Sequence, residues 1–90
     1  MTTVKIHGQK VPRELKEMNI VPTCEESIAS LLERVVGLHP ELQEILLSGT
    51  SPRSDMGILI NGRHCMFMDG LKTRVMADDL VDIIMPVIGG

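Results

Sequence analysis

The sequence predicts an α+β domain in which a single sheet packs on one principal helix. Three observations carry this. Segments with period-2 apolar alternation stand at the start and in the second half of the chain, one segment between them carries apolar residues at helical spacing, and the order β β α (α) β β … β lacks the regular alternation of a parallel α/β fold. A chain of 90 residues has room for one modest core, burying about 60–65% of the surface its unfolded form exposes.

Val4 and Ile6 alternate with Lys5 and His7, the pattern of a half-buried strand, and Gly8 interrupts it. Met18 and Ile20 alternate less cleanly with Glu17, Asn19 and Val21, which predicts a second strand over 16–21 and a turn over 8–14. Thr23 and Glu26 form a T-x-x-E capping box, so a helix is expected to begin there. Ile28, Leu31, Leu32, Val35 and Val36 follow at i, i+3, i+4, i+7 and i+8, one apolar stripe with Glu33 and Arg34 facing water. Gly37 reads as the C′ residue that ends this helix. Pro40 suits the first turn of a second, short helix over 40–47, with Leu42, Ile45 and Leu46 inward and Glu41 near its positive end.

Residues 48–57, SGTSPRSDMG, show no periodicity and read as a surface loop. Asn61-Gly62, between Ile58–Ile60 and Arg63–Phe67, predicts a hairpin, because a type I′ turn needs φ > 0 at both central residues. Asp69-Gly70 turns the chain again, 71–79 is irregular, and LVDII over 80–84 is apolar enough for a strand buried on both faces. Pro86, lacking an N–H, stops that ladder. A right-handed crossover through the helix would set the first strand beside a later one.

Composition narrows the function. Phe67 is the single aromatic residue, so the expected core is Leu, Ile, Val and the seven Met. A net charge of −3 with interspersed acids and bases gives no basic stripe, and one aromatic gives no platform for stacked bases, which argues against nucleic acid. No apolar run approaches the ~20 residues of a membrane helix, and MTTVKIHGQK lacks the apolar stretch of a secretory signal. Cys24 and Cys65 stand far apart in no metal or redox spacing, so a reduced, cytoplasmic setting is expected, a single disulfide between them being the alternative.

Side chains that might carry chemistry have structural readings beside the functional ones. His64 and Cys65 are neighbours, but adjacent residues on a strand point to opposite faces, which makes Cys65 a buried apolar group and His64 an exposed one. Cys24, in the first turn of the expected helix, has no identifiable base. His7, His39 and His64 fall in three different elements without ligand spacing, so no metal site is expected. Asp78-Asp79 reads as a turn making Asx-type bonds rather than an acid–base pair. No Gly-rich loop with a Lys-Ser/Thr pair is present to cradle a nucleotide.

By elimination the reactive group is the backbone carboxylate at the end of MPVIGG. Gly89 and Gly90 leave a thin chain with φ freedom that suits a narrow channel, and Met85, Val87 and Ile88 give an activating enzyme apolar handles while Pro86 stiffens the exit from the sheet. A frayed tail without a role would favour polar residues.

Residues 58–90 resemble the C-terminal half of the MoaD/ThiS family of ubiquitin-like sulfur carriers. Ile60-Asn61-Gly62 matches the strand ending in V-N-G or I-N-G, Gly70, Leu71 and Thr73 match G-L-x-T, and Met85 to Gly90 match P-P-V-x-G-G. Upstream, VKIHGQKVPREL is similar to the first strand and loop of the molybdopterin synthase small subunit, and SIASLLERVVGLHPELQEIL to its helix. The sequence departs from the family at Ala77-Asp78-Asp79, where Asp-Gly-Asp is usual, and at Ile84 and Met85, where an aromatic and a proline are usual; Asp tolerates the left-handed region better than most residues.

The resemblance implies a β-grasp fold, a mixed sheet on one main helix plus a short second helix, with 1–84 as the domain and 85–90 as a flexible Gly-Gly tail. It implies no side-chain catalysis and no bound cofactor or metal. An E1-like adenylyltransferase would consume ATP to adenylate Gly90, and a sulfur donor protein would convert the adenylate to a thiocarboxylate. The tail, with Gly89 threading the channel, would then enter the large subunit of molybdopterin synthase and deliver sulfur to a pyranopterin precursor. Ile84, Met85, Pro86, Val87 and Ile88, with Leu71 and Phe67, are the implied partner contacts. The competing functions are a protein modifier joined to lysines, a sulfur carrier for thiamine or cysteine synthesis, and a binding domain with an unreactive tail.

Overall fold

The computed structural model describes residues 1–8, 11–21, 26–48, 51–52 and 55–85. Strand β1 (Thr2–His7) and strand β2 (Glu17–Ile20) flank a 3-10 turn at Arg13–Leu15. Helix α1 (Ile28–Leu38) follows, then a 3-10 turn at Pro40–Leu42 running into the one-turn α2 (Gln43–Leu46). The second half holds a small ladder of β3 (Leu47–Ser48) with β4 (Ser51–Pro52), then β5 (Gly57–Ile60), β6 (Arg63–His64), 3-10 turns at Cys65–Phe67 and Gly70–Lys72, and β7 (Leu80–Ile84).

The main sheet runs in the order β2-β1-β7-β5-β6. The first and last strands are parallel neighbours, Val4 beside Val81 and Ile6 beside Ile83, while the other pairs are antiparallel. The expected pairing of the first strand with a later one is therefore met, and it makes the sheet mixed. Thr2, Val4, Ile6, Ile20, Ile58, Ile60, Val81 and Ile83 are buried on one face, against Ile28, Leu31, Leu32 and Val35 of α1. At about 1.5–3 kcal/mol for each large aliphatic removed from water, this interface supplies most of the folding drive.

Local structure departs from the sequence reading in ways that have physical causes. Helix α1 starts at Ile28, capped by Ser27, whose Oγ accepts from Ser30 N at 3.2 Å. Residues 26–27 are drawn instead into pairing with 73–75: Ile28 N–H, a first-turn donor with no partner inside the helix, donates to Thr73 O at 3.0 Å and Val75 N–H donates to Glu26 O at 2.8 Å, so the helix cannot begin before Ile28. The Glu26 carboxylate accordingly accepts from Arg34 Nη1 at 2.7 Å; the Thr23 part of the expected capping box lies outside the described residues. Gly37 does not end the helix. It continues through Leu38 and stops because His39, preceding Pro40, is held at φ −132°, ψ 81°.

The expected helix over 40–47 is part 3-10 and part α, and it ends one residue earlier, at Leu46. The segment read as a loop over 48–57 contributes the β3–β4 ladder, with Leu47 opposite Pro52. Strand β6 is shorter than the expected 63–67. His64 Nδ1 accepts from Met66 N at 3.1 Å and turns the chain into the 3-10 segment at Cys65–Phe67. Strand β7 is buried on one face only, because α1 covers one side of the sheet and the other side faces water. Nor do the methionines fill the core: Met56 is buried, Met18 and Met85 pack at its margin, and Met1, Met66, Met68 and Met76 are exposed.

The turns themselves follow expectation. Asn61 (φ 52°) and Gly62 (φ 85°) are both left-handed, as a type I′ hairpin requires, and Asp78 (φ 67°) occupies the left-handed position at which the family pattern has glycine. Asp79 closes the turn from its far end rather than by an Asx-type bond to the chain ahead: Oδ2 accepts from Met76 N, three residues earlier, at 2.8 Å.

Candidate functional site

The site is built where β7 leaves the sheet. Parallel pairing with β1 sets His7 beside Ile84, and the Met85 N–H donates to His7 O at 2.9 Å, so the ladder runs one residue past the strand. Met85, grouped with the tail on sequence grounds, packs against the core from its margin. Pro86, Val87, Ile88, Gly89 and Gly90 lie outside the described residues.

Period-2 alternation turns Ile84 to the face of the sheet that α1 does not cover, where it is 44% exposed. Its neighbour on β5 is Gly57, and a methyl group at Gly57 would touch both Ile84 Cβ at 3.9 Å and His64 Nε2 at 3.6 Å. The absent side chain thus lets Ile84 and His64 converge. Phe67 meets the His64 ring edge-on, centroids 6.4 Å apart at 82°, and is 77% exposed. Phe67, His64 and Ile84 make up an apolar and aromatic strip on this face, Ile84 and His64 lying on either side of Gly57, with exposed Met66 and Met68 beside Phe67 and Leu71 in the next 3-10 turn.

Of the sequence-predicted contacts, Phe67 packs on His64, Ile84 lies on the other side of Gly57 from that ring, Leu71 is in the adjoining turn and Met85 follows the last strand. His64, expected to be exposed, is half-buried, because it lies over Gly57 and caps the following turn. Since Nδ1 accepts from Met66 N, the neutral ring carries its proton on Nε2. Cys65 is buried as expected, and burial pushes its thiol pKa up despite a smaller opposing backbone hydrogen bond. A buried thiol held protonated makes a poor nucleophile. Cys24 lies outside the described residues.

The polar groups on this face form pairs of their own. His7 Nε2 lies 2.9 Å from Asp82 Oδ1 and Lys5 Nζ 3.6 Å from Glu17 Oε1. The His7–Asp82 pair escapes sequence reading because 75 residues separate its members and only parallel pairing of β1 with β7 joins them. Among the described residues no group of three or more His, Cys, Asp or Glu is placed to hold a metal. Among the described residues no side-chain nucleophile stands beside a base, and the exposed Phe67 and Ile84 offer a surface that a partner can grip.

A mixed five-stranded sheet on one helix, with an exposed strip beside the last strand, defines a ubiquitin-like β-grasp protein. The ThiS family profile matches residues 5–90, and the chain belongs to this family of ubiquitin-like sulfur carriers. Solved structures agree in fold. The chain resembles small archaeal modifier protein 1 from Methanosarcina acetivorans (TM-score 0.80, 23% identity, 99% of this chain and 95% of that one). It also resembles a chain of the Amycolatopsis orientalis BexX/CysO complex (TM-score 0.74, 18% identity, 100% of each chain). A Pyrococcus furiosus protein assigned as subunit 1 of molybdopterin converting factor is similar as well (TM-score 0.68, 20% identity, 96% and 97%). No curated protein matches the chain.

Proposed function

We propose that this protein carries sulfur on the carboxylate of Gly90 and acts as the small subunit of molybdopterin synthase. The observation that carries the reading is that the family match extends to Gly90, while β7, the last strand before that end, carries Ile84 on the face that also holds Phe67 and His64. A carboxylate is a poor electrophile, and adenylation with ATP by an E1-like enzyme makes it an acyl adenylate with a good leaving group. Attack by sulfide supplied by the donor forms the acyl C–S bond, breaks the acyl C–O bond, releases AMP and leaves sulfur in place of one oxygen. The domain's part is to be recognised: the strip docks, and the Gly89-Gly90 end is thin enough to enter the partner's channel. The large synthase subunit would use the same strip and tail to bring the thiocarboxylate to its pterin substrate. The setting for this cycle is the cytoplasm.

Intact-mass analysis after incubation with an E1-like adenylyltransferase, ATP and a sulfur donor tests the chemistry, the expected result being exchange of one oxygen for one sulfur. Gly90→Ala should fold normally and lose turnover; unchanged turnover would overturn the assignment. Co-purification with a large synthase subunit tests the pathway. The likeness to an archaeal modifier protein favours one second reading, conjugation to lysines. That reading predicts Gly-Gly remnants on lysines in digested cell protein, whereas free carrier alone counts against it.

A further inference from the structure

We propose that Gly8 is a positioning residue for activation of the tail: its missing side chain forms the seat that fixes Met85, and so fixes where the tail leaves the sheet. This rests on the carrier reading above. A Cβ at Gly8 would lie 2.8 Å from Met85 Cγ, 3.0 Å from Met85 Cβ and 3.2 Å from Val11 Cγ2. Optimal carbon–carbon contact is about 3.5–4.0 Å, so the Met85 side chain fills the space a methyl group would need. The Gly8 backbone is outside the left-handed region, so the demand for glycine comes from this contact rather than from φ. Rotation about χ1 can move Met85 Cγ away, but its Cβ moves only with the backbone. A side chain at Gly8 therefore requires the Gly8 and Met85 backbones to part by a few tenths of an ångström, which strains the 2.9 Å bond from Met85 N–H to His7 O.

That bond is the last described rung between the domain and its tail, and Gly90 lies five residues beyond it. Extended chain covers about 3.3–3.6 Å per residue, so a partner gripping Phe67 and Ile84 must find the tail at a set origin for the terminal carbon to reach its catalytic groups. Moving the origin leaves the docking strip intact. The consequence is selective: the encounter is kept and the reacting end is misplaced.

Wild type, Gly8→Ala, Met85→Gly and the Gly8→Ala/Met85→Gly double variant are to be compared in two measurements. The first is amide hydrogen exchange at residue 85. Gly8→Ala should lose about tenfold in protection, and the double variant should match Met85→Gly, because the Met85 atoms that clash are gone and the remaining neighbour, Val11 Cγ2 at 3.2 Å, is a methyl group that can rotate aside. Equal protection in Gly8→Ala and wild type, or additive losses in the double variant, would overturn the seat. The second is ATP–pyrophosphate exchange with an E1-like adenylyltransferase. Gly8→Ala should lower kcat about tenfold with KM within about twofold, and the double variant should be no worse than Met85→Gly. A rise in KM at constant kcat, or unchanged kinetics, would overturn the positioning role. If Gly8→Ala does not fold, a folded double variant supports the contact and an unfolded one overturns it. If wild type itself is not adenylated, the carrier reading falls, while the exchange measurement still decides the seat.

Discussion

Glu26 is a carboxylate with its side chain wholly out of water, and Arg34, about a third exposed, is its counter-charge. Arg34 also donates from Nη2 to Val21 O at 2.8 Å, so one guanidinium ties α1 to the end of β2 and to the segment paired with 73–75. Arg34→Ala leaves the Glu26 carboxylate with Ser30 Oγ at 3.4 Å. We expect a loss of about 2–3 kcal/mol in urea unfolding, against less than about 0.5 kcal/mol for Glu33→Ala on the exposed side of the same helix. Cys65 supplies a pH signature. Burial raises its folded pKa above the ordinary 9.0, so as pH rises the unfolded thiol ionises first and the unfolded state binds fewer protons. The contribution is whole below about pH 9 and is lost above it. Stability measured from pH 8 to 10 should therefore fall more steeply for wild type than for Cys65→Ala, and parallel slopes would refute the assignment. These residues are unequally legible: the neighbouring pair His64 and Cys65 stands out in the sequence, whereas local pattern places Glu26 in a capping box with Thr23, because its partners at 73–75 are far along the chain.

Among the elements, the β5–β6 turn shows how a local signal acquires a long-range task. Asn61-Gly62 fixes the turn type, and the Asn61 side chain then reaches across to the start of β7, Oδ1 accepting from Leu80 N at 2.9 Å and Nδ2 donating to Asp79 Oδ1 at 3.0 Å. Asn61→Ala should cost about 2 kcal/mol, combining lost hydrogen bonds with a less tolerant residue at φ 52°. At Asp78, φ 67°, valine should cost about 1–2 kcal/mol and glycine less than about 0.5 kcal/mol, and both are measurable by urea unfolding. The apolar stripe of α1 was readable because 3.6-residue periodicity is a property of the segment itself. Its ends were not, since the start is set by pairing with Thr73 and Val75 and the finish by Pro40 acting on His39.

For the molecule as a whole, the exposed Phe67 and Ile84 are the test of whether the strip beside the tail is a docking surface. Phe67→Ser removes little buried contact, so stability should change by less than about 0.5 kcal/mol while affinity for an E1-like partner weakens about tenfold or more. Titration calorimetry reads the second quantity, and unchanged affinity would move the docking surface elsewhere. The sequence by itself determined the class of fold, the order of the main-sheet strands and the principal helix, and the turn at Asn61-Gly62, because each of these is written in spacing a few residues long; the β3–β4 ladder was not. Only the tertiary structure decided that β1 lies parallel to β7, that methionines are mostly surface residues, and that Gly8, His7 and Met85 meet where the tail begins. Those contacts join residues roughly the whole chain apart, and their geometry exists only once the sheet has closed.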